Sequence, residues 1–388
     1  MPEQMSGPGK AGVVNPYAMV EVLLGRKVDW PNVADRKAFI QAVLNFPYEK
    51  LFDPQYGSPL YPGRRFDVKK KVFVADPGNT ELINGTNRLL HLNKHLLAAG
   101  AAGNTNQQWV DPGTTFFSNS PDFAAPVQGS IPDCHFIAAI ASLAWSNPYD
   151  IIQAVRPVSP ADALVTGGSV DRIFFYAGTG SASAPIEVTE LLPLIEPGNL
   201  YQYAQSAHPG ELWPAVYEKA WVKWITNDPG DQPDYSKVGG GDPVNDLVSL
   251  TGKNYNSYAT NGQTGDQIWN AVRSNCRGSW TFNPMAATTY GSSAAAPTPI
   301  DYDTSGIVAD HCYSILGWQF VNNTKYIVLR NPWGYQEGTL NVNSGPWTSF
   351  DQFDGGDVVG TLALPENGVF SLAADTFQQY YGWYGWVS

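Results

Sequence analysis

The sequence predicts an α+β fold in which a helical half precedes a half rich in β-strands. Apolar residues recur at helical spacing from Phe136 to Leu143, directly after Cys134, and a second helix is predicted over 212–224. Two β-rich runs, 312–318 and 325–330, are separated by an Asn-Asn-Thr turn and predict a hairpin. In such a protein we expect a site in the cleft where the two halves meet.

Length and composition indicate a globular protein of two or three packing units. The chain has 388 residues, of which 43% are hydrophobic, enough to fill several cores. Its 23 basic and 35 acidic residues give a net charge of −12, which repels phosphate groups. We therefore expect no nucleic-acid partner and no membrane partner.

Stretches rich in proline and glycine indicate that the chain is divided into three segments. We predict a helical and Pro-rich extension at 1–100, a Cys-bearing lobe at 101–240 and a β-rich lobe at 241–388. The stretch 52–71 is rich in proline and then in basic residues, so we read it as a linker and the extension as a prosegment that covers the cleft. The N-terminus lacks a signal-peptide pattern, and no apolar run could span a bilayer. We predict a soluble protein; the compartment stays open, with the cytoplasm favoured and leaderless secretion as the alternative.

Cys134 is the first candidate for chemistry. Pro132 and Asp133 start a helix whose first turn contains this cysteine. Unpaired N–H groups and the helix dipole favour a thiolate there, although a small buried thiol is the alternative interpretation. The chain has three cysteines, so at least one thiol is free, and whether Cys276 pairs with Cys312 stays open.

His311 and Asn331 are the second and third candidates. His311 begins the first strand of the hairpin and Asn331 follows the second, so the hairpin brings them together. An imidazole can take the thiol proton, and an amide carbonyl can accept the other ring N–H and fix the tautomer. Trp333 could shield that hydrogen bond from water. The alternative for His311 is a core histidine with satisfied hydrogen bonds.

Four motifs in a fixed order resemble the calpain-type cysteine proteases, whose core is a two-lobed relative of the papain fold. The resemblance covers roughly 128–377. The motifs are QGSIPDC at 128–134 with the following FIAAIASL helix, ELWPAVYEKA at 211–220, HCYSI at 311–315 and RNPWG at 330–334. This resemblance implies a papain-like core with a helical Cys lobe and a β-rich His/Asn lobe, preceded by the N-terminal extension.

The resemblance also implies a role for each site residue. Cys134 is the nucleophile, His311 the general base and then acid, Asn331 the orienting residue and Gln128 an oxyanion donor. Six residues before Cys134, Gln128 can reach over the helix start, where its amide and the Cys134 N–H converge on the oxyanion. The expected substrate contacts are Gly240, Gly241, Asp310 and Trp333.

Three positions depart from the family pattern beside the site. Pro132 stands where the family usually has Gly, and proline suits a helix start. His135 stands where the family usually has Trp, and we expect it to pack there rather than act as a second titratable group. Asp310 replaces the Gly that usually precedes the base histidine. We expect its carboxylate to narrow the cleft and change the peptide preference.

Calcium binding, which the resemblance implies, is poorly supported by the residues. Glu211 and Glu337 fall on ligand positions of the first and second lobes, but Ala125 and Asn367 stand where further acids belong. Asp301 opens half of a calcium-loop pattern that lacks its closing glutamate. We expect that no cofactor is required and that activity does not depend on calcium.

The resulting prediction is a thiol endopeptidase that cleaves protein or peptide substrates through a thioester intermediate. Two alternatives stay open: a transglutaminase-like acyl transferase with the same Cys–His pair, and a calpain-like protein that only binds. An acyl transferase normally orients its histidine with a carboxylate, and a binding-only protein would be expected to lack one of the three polar residues.

Overall fold

The structure is a computed structural model that describes ten ranges of the chain and two short N-terminal strands. The ranges are 107–117, 121–159, 162–165, 169–195, 200–208, 211–334, 340–345, 349–354, 357–363 and 368–388. The helices are α1 (Cys134–Ser146), α2 (Pro148–Gln153), α3 (Trp213–Thr226), α4 (Pro243–Thr251), α5 (Gly265–Ser274), α6 (Tyr302–Ser305) and α7 (Ala374–Tyr380).

The strands are short before α3 and longer after it. In chain order they are β1 (Arg64–Asp67), β2 (Val72–Ala75), β3 (Gln107–Val110), β4 (Pro126–Val127), β5 (Val155–Val158), β6 (Val170–Ile173), β7 (Tyr176–Gly178), β8 (Ser181–Ala182), β9 (Ile186–Thr189), β10 (Leu192–Ile195), β11 (Leu200–Tyr201), β12 (Gln205–Ser206), β13 (Tyr255–Ala259), β14 (Cys276–Arg277), β15 (Trp280–Thr289), β16 (Cys312–Val321), β17 (Thr324–Arg330), β18 (Ser344–Gly345), β19 (Ser349–Asp354), β20 (Asp357–Ala363), β21 (Val369–Ala373) and β22 (Tyr381–Val387).

The C-terminal half is built on one antiparallel sheet of eight strands, in the order β13-β22-β15-β16-β17-β21-β18 with β14 paired to β15. Its β16–β17 hairpin confirms the predicted one. The turn residues Asn322 and Asn323 have φ of 48° and 62°, a left-handed conformation that asparagine tolerates well. Because Ser314 lies opposite Arg330, the start of β16 and the end of β17 lie at the same edge of the sheet.

Helix α1 is clamped to this sheet by side chains that hydrogen-bond to backbone. Ser142 Oγ donates to the Met285 carbonyl at 2.7 Å and accepts from the Met285 N–H at 2.8 Å. Ser314 Oγ donates to the Ala138 carbonyl at 2.7 Å, and Trp145 Nε1 donates to Leu316. Buried bonds of this kind are costly to leave unmade, so they fix α1 relative to the strands.

Two apolar clusters form the interior of the described chain. One gathers around α1 and α3, and the other gathers around the large sheet with α5 and α7. The predicted helix at 212–224 is present as α3, with Pro214 in its first turn, where a missing N–H costs nothing. The segment boundaries at 100 and 240 stay predictions.

Part of the stretch predicted to be a linker is a strand. Arg64–Asp67 pairs antiparallel with Val72–Ala75, whereas the rest of 52–71 lies outside the described residues.

All three cysteines are free, so Cys276 and Cys312 do not form a disulfide. Within the described ranges, no helix combines the length and the apolar character needed to cross a bilayer.

Candidate active site

The first turn of α1 presents Cys134. The helix begins at this residue, and Asp133 precedes it without making a side-chain capping bond. The N–H groups of the first turn are therefore not hydrogen-bonded to a capping side chain. The positive end of the helix dipole lies beside the Cys134 sulfur. The structure thus places Cys134 where the sequence predicted it, at a helix N-terminus.

The environment of Cys134 favours the thiolate. A hydrogen bond from the Cys312 thiol lowers the pKa of Cys134 well below its ordinary value, and burial opposes this effect. A hydrogen bond and charge from His311 lower it further. The same contact raises the pKa of Cys312, which therefore keeps its proton as the donor. Sequence reasoning missed this role, because nothing local indicates that residue 312 faces residue 134.

Asn331 orients the His311 imidazole. Nε2 of His311 lies 2.9 Å from Oδ1 of Asn331. Because that carbonyl oxygen accepts, Nε2 carries the proton and Nδ1 is the nitrogen left for Cys134. The same oxygen accepts the Trp333 N–H at 3.0 Å, and the Trp333 ring lies 4.5 Å from the imidazole. Trp333 is buried, and its ring lies beside the His–Asn bond.

The backbone of His311 is fixed by Thr289. The Thr289 hydroxyl accepts the His311 N–H at 3.0 Å, and the Thr289 N–H donates to the His311 carbonyl at 2.9 Å. Asp310, the residue before, has φ of 51°, in the left-handed region that favours glycine. A glycine would adopt this conformation without the steric cost of a side chain. The Asp310 side chain is exposed beside the base.

Gln128 is anchored to the Asn331 loop. Its backbone N–H donates to the Pro332 carbonyl at 2.9 Å, and its side-chain amide donates to the Ile131 carbonyl at 2.8 Å. An amide carries two hydrogens, so one remains for a reacting oxygen. The next residue, Gly129, is packed so closely that an added Cβ would lie 2.3 Å from the Tyr203 backbone. This packing fixes the segment that carries Gln128.

The expectation that His135 only packs is wrong. Its Nδ1 lies 2.5 Å from Oδ2 of Asp246, and its Nε2 lies 3.1 Å from the Gly239 carbonyl oxygen. The ring is therefore a titratable group in an ion pair. Gly240 and Gly241 follow directly in an exposed segment, and their contact with substrate stays a prediction.

A buried carboxyl pair lies beneath the helix start. Burial raises the pKa of Asp133 to about 6 and that of Glu218, which interacts with it, well above its usual range. Glu218 also accepts the Ala204 N–H through both oxygens, at 3.0 and 2.9 Å. Because Glu218 keeps a proton near neutral pH, the pair contributes at most one negative charge beside the Cys134 thiolate. Residues of different elements form this pair, so sequence reasoning missed it.

Glu211 and Asp301, two described positions considered for calcium, have hydrogen-bond partners within the chain. Glu211 accepts from Ser206 Oγ at 3.0 Å, and its Oε2 lies 3.7 Å from Nδ1 of His208. Asp301 instead caps α6 through the N–H groups of residues 303 and 304. Among the residues that the structure describes, no group of three or more His, Cys, Asp or Glu side chains could hold a metal ion. Glu337 and Asn367 lie outside those residues.

Loss of the orienting amide is expected to impair turnover without destroying the site. Asn331→Ala removes the acceptor that fixes the His311 tautomer, so we expect kcat to fall roughly 10²-fold. Steady-state kinetics on a fluorogenic peptide measure this. Asn270→Ala, an exposed asparagine in α5, is the matched control and should retain wild-type kcat. Equal rates for the two variants would show that Asn331 does not orient the base.

The chain is similar in sequence to known proteins. The model of the calpain family cysteine proteases matches residues 102–384. A thiol protease of Porphyromonas gingivalis is 24% identical, over 96% of this chain and 86% of that protein. Rat calpain-9 is 25% identical over 66% of this chain and 34% of its own length, and human calpain-1 catalytic subunit is 26% identical over 58% and 30%. The chain thus spans about a third of the calpains. A procathepsin L of Tenebrio molitor aligns with a TM-score of 0.26 at 12% identity, covering 98% of this chain and all of that one.

Proposed function

Because the chain belongs to the calpain family of cysteine proteases, we propose that it is an endopeptidase that cleaves protein or peptide substrates with Cys134, His311 and Asn331. The observation that carries the proposal is the surroundings of Cys134. His311 lowers the pKa of the Cys134 thiol, and its Nε2 lies 2.9 Å from Oδ1 of Asn331. These observations support a nucleophile, a base and an orienting group in the order that acyl transfer to sulfur requires.

The reaction follows from the positions of the protons. The Cys134 thiolate attacks the scissile carbonyl, and the oxyanion is bound by the free N–H of the Gln128 amide and the Cys134 backbone N–H. The His311 imidazolium then protonates the leaving amine as the C–N bond breaks, which leaves a thioester. Neutral His311 next takes a proton from water, whose oxygen attacks the thioester and releases the acid.

The nature of the orienting group favours hydrolysis over the alternatives. The partner of His311 is an amide rather than the carboxylate usual in an acyl transferase. A protein that only binds would not need a thiol whose pKa is lowered by two neighbours.

Substrate contacts are proposed for three residues, Gly240, Gly241 and Asp310. Trp333 is proposed to shield the His311 base from water. With a net charge of −12, we expect protein and peptide partners rather than nucleic acid or membranes.

We further propose that activity does not depend on calcium. In the first lobe, the Glu211 carboxylate faces the His208 imidazole, which itself lies 3.9 Å from Asp122 through Nε2. This imidazole lies between two carboxylates, and Ala125 supplies no side-chain oxygen. A calcium ion needs six to eight oxygen ligands, so this set does not suit it.

Digestion of an unfolded protein tests reaction class, nucleophile and metal requirement together. Carboxymethylated albumin is incubated with the chain, with or without EGTA and a thiol-directed epoxide, and peptides are identified by mass spectrometry. We expect cleavage that EGTA leaves unchanged and that the epoxide abolishes by adding its mass to Cys134. Abolition of cleavage by EGTA would refute the calcium proposal. Incorporation of a labelled amine without cleavage would instead establish an acyl transferase.

A further inference from the structure

We propose that His135 is a positioning residue that holds the glycine loop, residues 239–241, at the wall of the cleft through simultaneous hydrogen bonds to Asp246 and Gly239. This inference rests on the proposed function, since it assigns the loop to substrate binding. The nearest family pattern has Trp at this position, so the device belongs to this chain's own sequence.

Both ring nitrogens of His135 are used. Nδ1 lies 2.5 Å from Oδ2 of Asp246, on α4, and Nε2 lies 3.1 Å from the Gly239 carbonyl oxygen. A carbonyl can only accept, so Nε2 donates to the loop. His135 is 4% exposed. Its ring therefore connects α1, α4 and the glycine loop through buried hydrogen bonds.

The acidic neighbours of the ring favour its charged form. Burial disfavours the imidazolium, but the charge and hydrogen bond of Asp246 raise the pKa of His135 to about 9. The Cys134 thiolate and Asp133 act from the α1 side, and Asp242 lies near Asp246 at the start of α4. From α3, the Trp221 ring contacts the imidazole edge-to-face at 5.4 Å. Below about pH 9 the ring therefore donates from both nitrogens.

The glycines of the loop divide into two kinds. A Cβ added to Gly241 would lie 2.5 Å from Cε1 and 2.7 Å from Nδ1 of His135, so the Gly241 backbone rests on the imidazole. A Cβ added to Gly239 or Gly240 would meet nothing within 4 Å. Gly241 is thus needed for the contact with His135, whereas Gly240 is the position left open to a peptide backbone. Of the two glycines expected to bind substrate, we assign that contact to Gly240.

Loss of the ring should loosen the loop and weaken substrate binding more than it slows chemistry. His135→Phe keeps an aromatic ring but removes both hydrogen bonds. We expect KM for an extended peptide to rise roughly tenfold while kcat falls less than threefold, since only binding interactions are lost. Alkylation of Cys134 by iodoacetamide, which uses no loop contact, should change less than threefold.

The pH dependence of KM distinguishes a positioning role of His135 from simple packing. In the wild type, loss of a ring proton above about pH 9 leaves one hydrogen for two acceptors, and the Asp246 carboxylate holds it in preference to the Gly239 carbonyl, so the loop bond is lost and KM should rise there. Asp246→Asn can turn its amide to donate to a neutral ring, and we expect the KM rise above pH 9 to disappear in this variant. His135→Phe should show a raised KM that is flat with pH.

Hydrogen exchange tests the proposal even if no peptide is cleaved. The buried Val238 amide, which precedes the loop and donates to the Tyr235 carbonyl at 3.1 Å, should exchange at least tenfold faster in His135→Phe than in the wild type at pH 7, and Asp246→Asn should keep most of this protection. His208→Phe, which removes another buried imidazole near carboxylates, is the control and should leave this exchange unchanged. Unchanged exchange in folded His135→Phe would overturn the inference. Suppose instead that exchange is faster in His135→Phe but the wild-type chain hydrolyses no peptide. This result would support the contact between His135 and the loop and would refute the proposed function.

Discussion

Cys134→Ala is expected to lower kcat/KM on an unfolded protein substrate by roughly 10⁴-fold or more, because the variant has no group that can form the thioester. The fold should survive. Residues 135–145 of α1 are buried and held by the bonds of Ser142, Ser314 and Trp145, whereas Cys134 lies half-exposed at the helix start. Peptide release measured by mass spectrometry, together with a thermal unfolding curve, checks both statements.

Cys276→Ala is the matched control for that experiment. Burial raises the pKa of the Cys276 thiol, which contacts the Val272 carbonyl at 3.2 Å and takes no part in the site. This variant should keep wild-type kcat/KM. Substantial cleavage by purified Cys134→Ala would exclude the sulfur of residue 134 as nucleophile.

His311→Ala is expected to have a comparable effect, with kcat/KM lowered roughly 10³-fold to 10⁵-fold. The imidazole serves the thiol twice, first by a hydrogen bond and charge that lower the pKa of Cys134 and later as the acid for the leaving amine. The Cys312 hydrogen bond remains in this variant, so the thiolate should be reduced in amount rather than lost. Iodoacetamide should therefore still label Cys134 preferentially, but more slowly at pH 7.

The contrast between labelling and turnover makes the His311 experiment decisive. Turnover should fall far more than labelling, since labelling needs no proton donor. Parallel losses in the two measurements would mean that His311 only activates the thiol and that another group protonates the amine. Wild-type turnover in His311→Ala would remove this residue from the mechanism.

Local signals were sufficient to predict the main supports of the site. A helix start at Pro132 and Asp133 and a hairpin around Asn322 both depend on nearest neighbours in sequence, and the structure has both. The hairpin also explains why His311 and Asn331, 20 residues apart, meet at 2.9 Å. Their catalytic roles came from the resemblance and stay predictions until measured.

The contacts that tune the site could not be predicted, because they join distant segments. Asp246 is 111 residues from His135, and no periodicity indicates that they form a pair. The same holds for the Cys312 thiol beside Cys134 and for the Thr289 hydroxyl behind His311. Asp310 shows a different limit: its left-handed backbone becomes visible only in the folded chain. Long-range packing, rather than local propensity, decides these features.

The rate of alkylation as a function of pH tests most directly whether Cys134 is a thiolate near neutral pH. Iodoacetamide is applied to the native chain from pH 5 to 9.5, and peptides carrying Cys134 and Cys276 are quantified separately. The lowered pKa of Cys134 predicts a rate already near its plateau at pH 7, with a midpoint well below the value of about 8.5 for an ordinary thiol, while Cys276 reacts slowly throughout. A midpoint for Cys134 at or above about 8.5, or faster labelling of Cys276, would contradict the central claim.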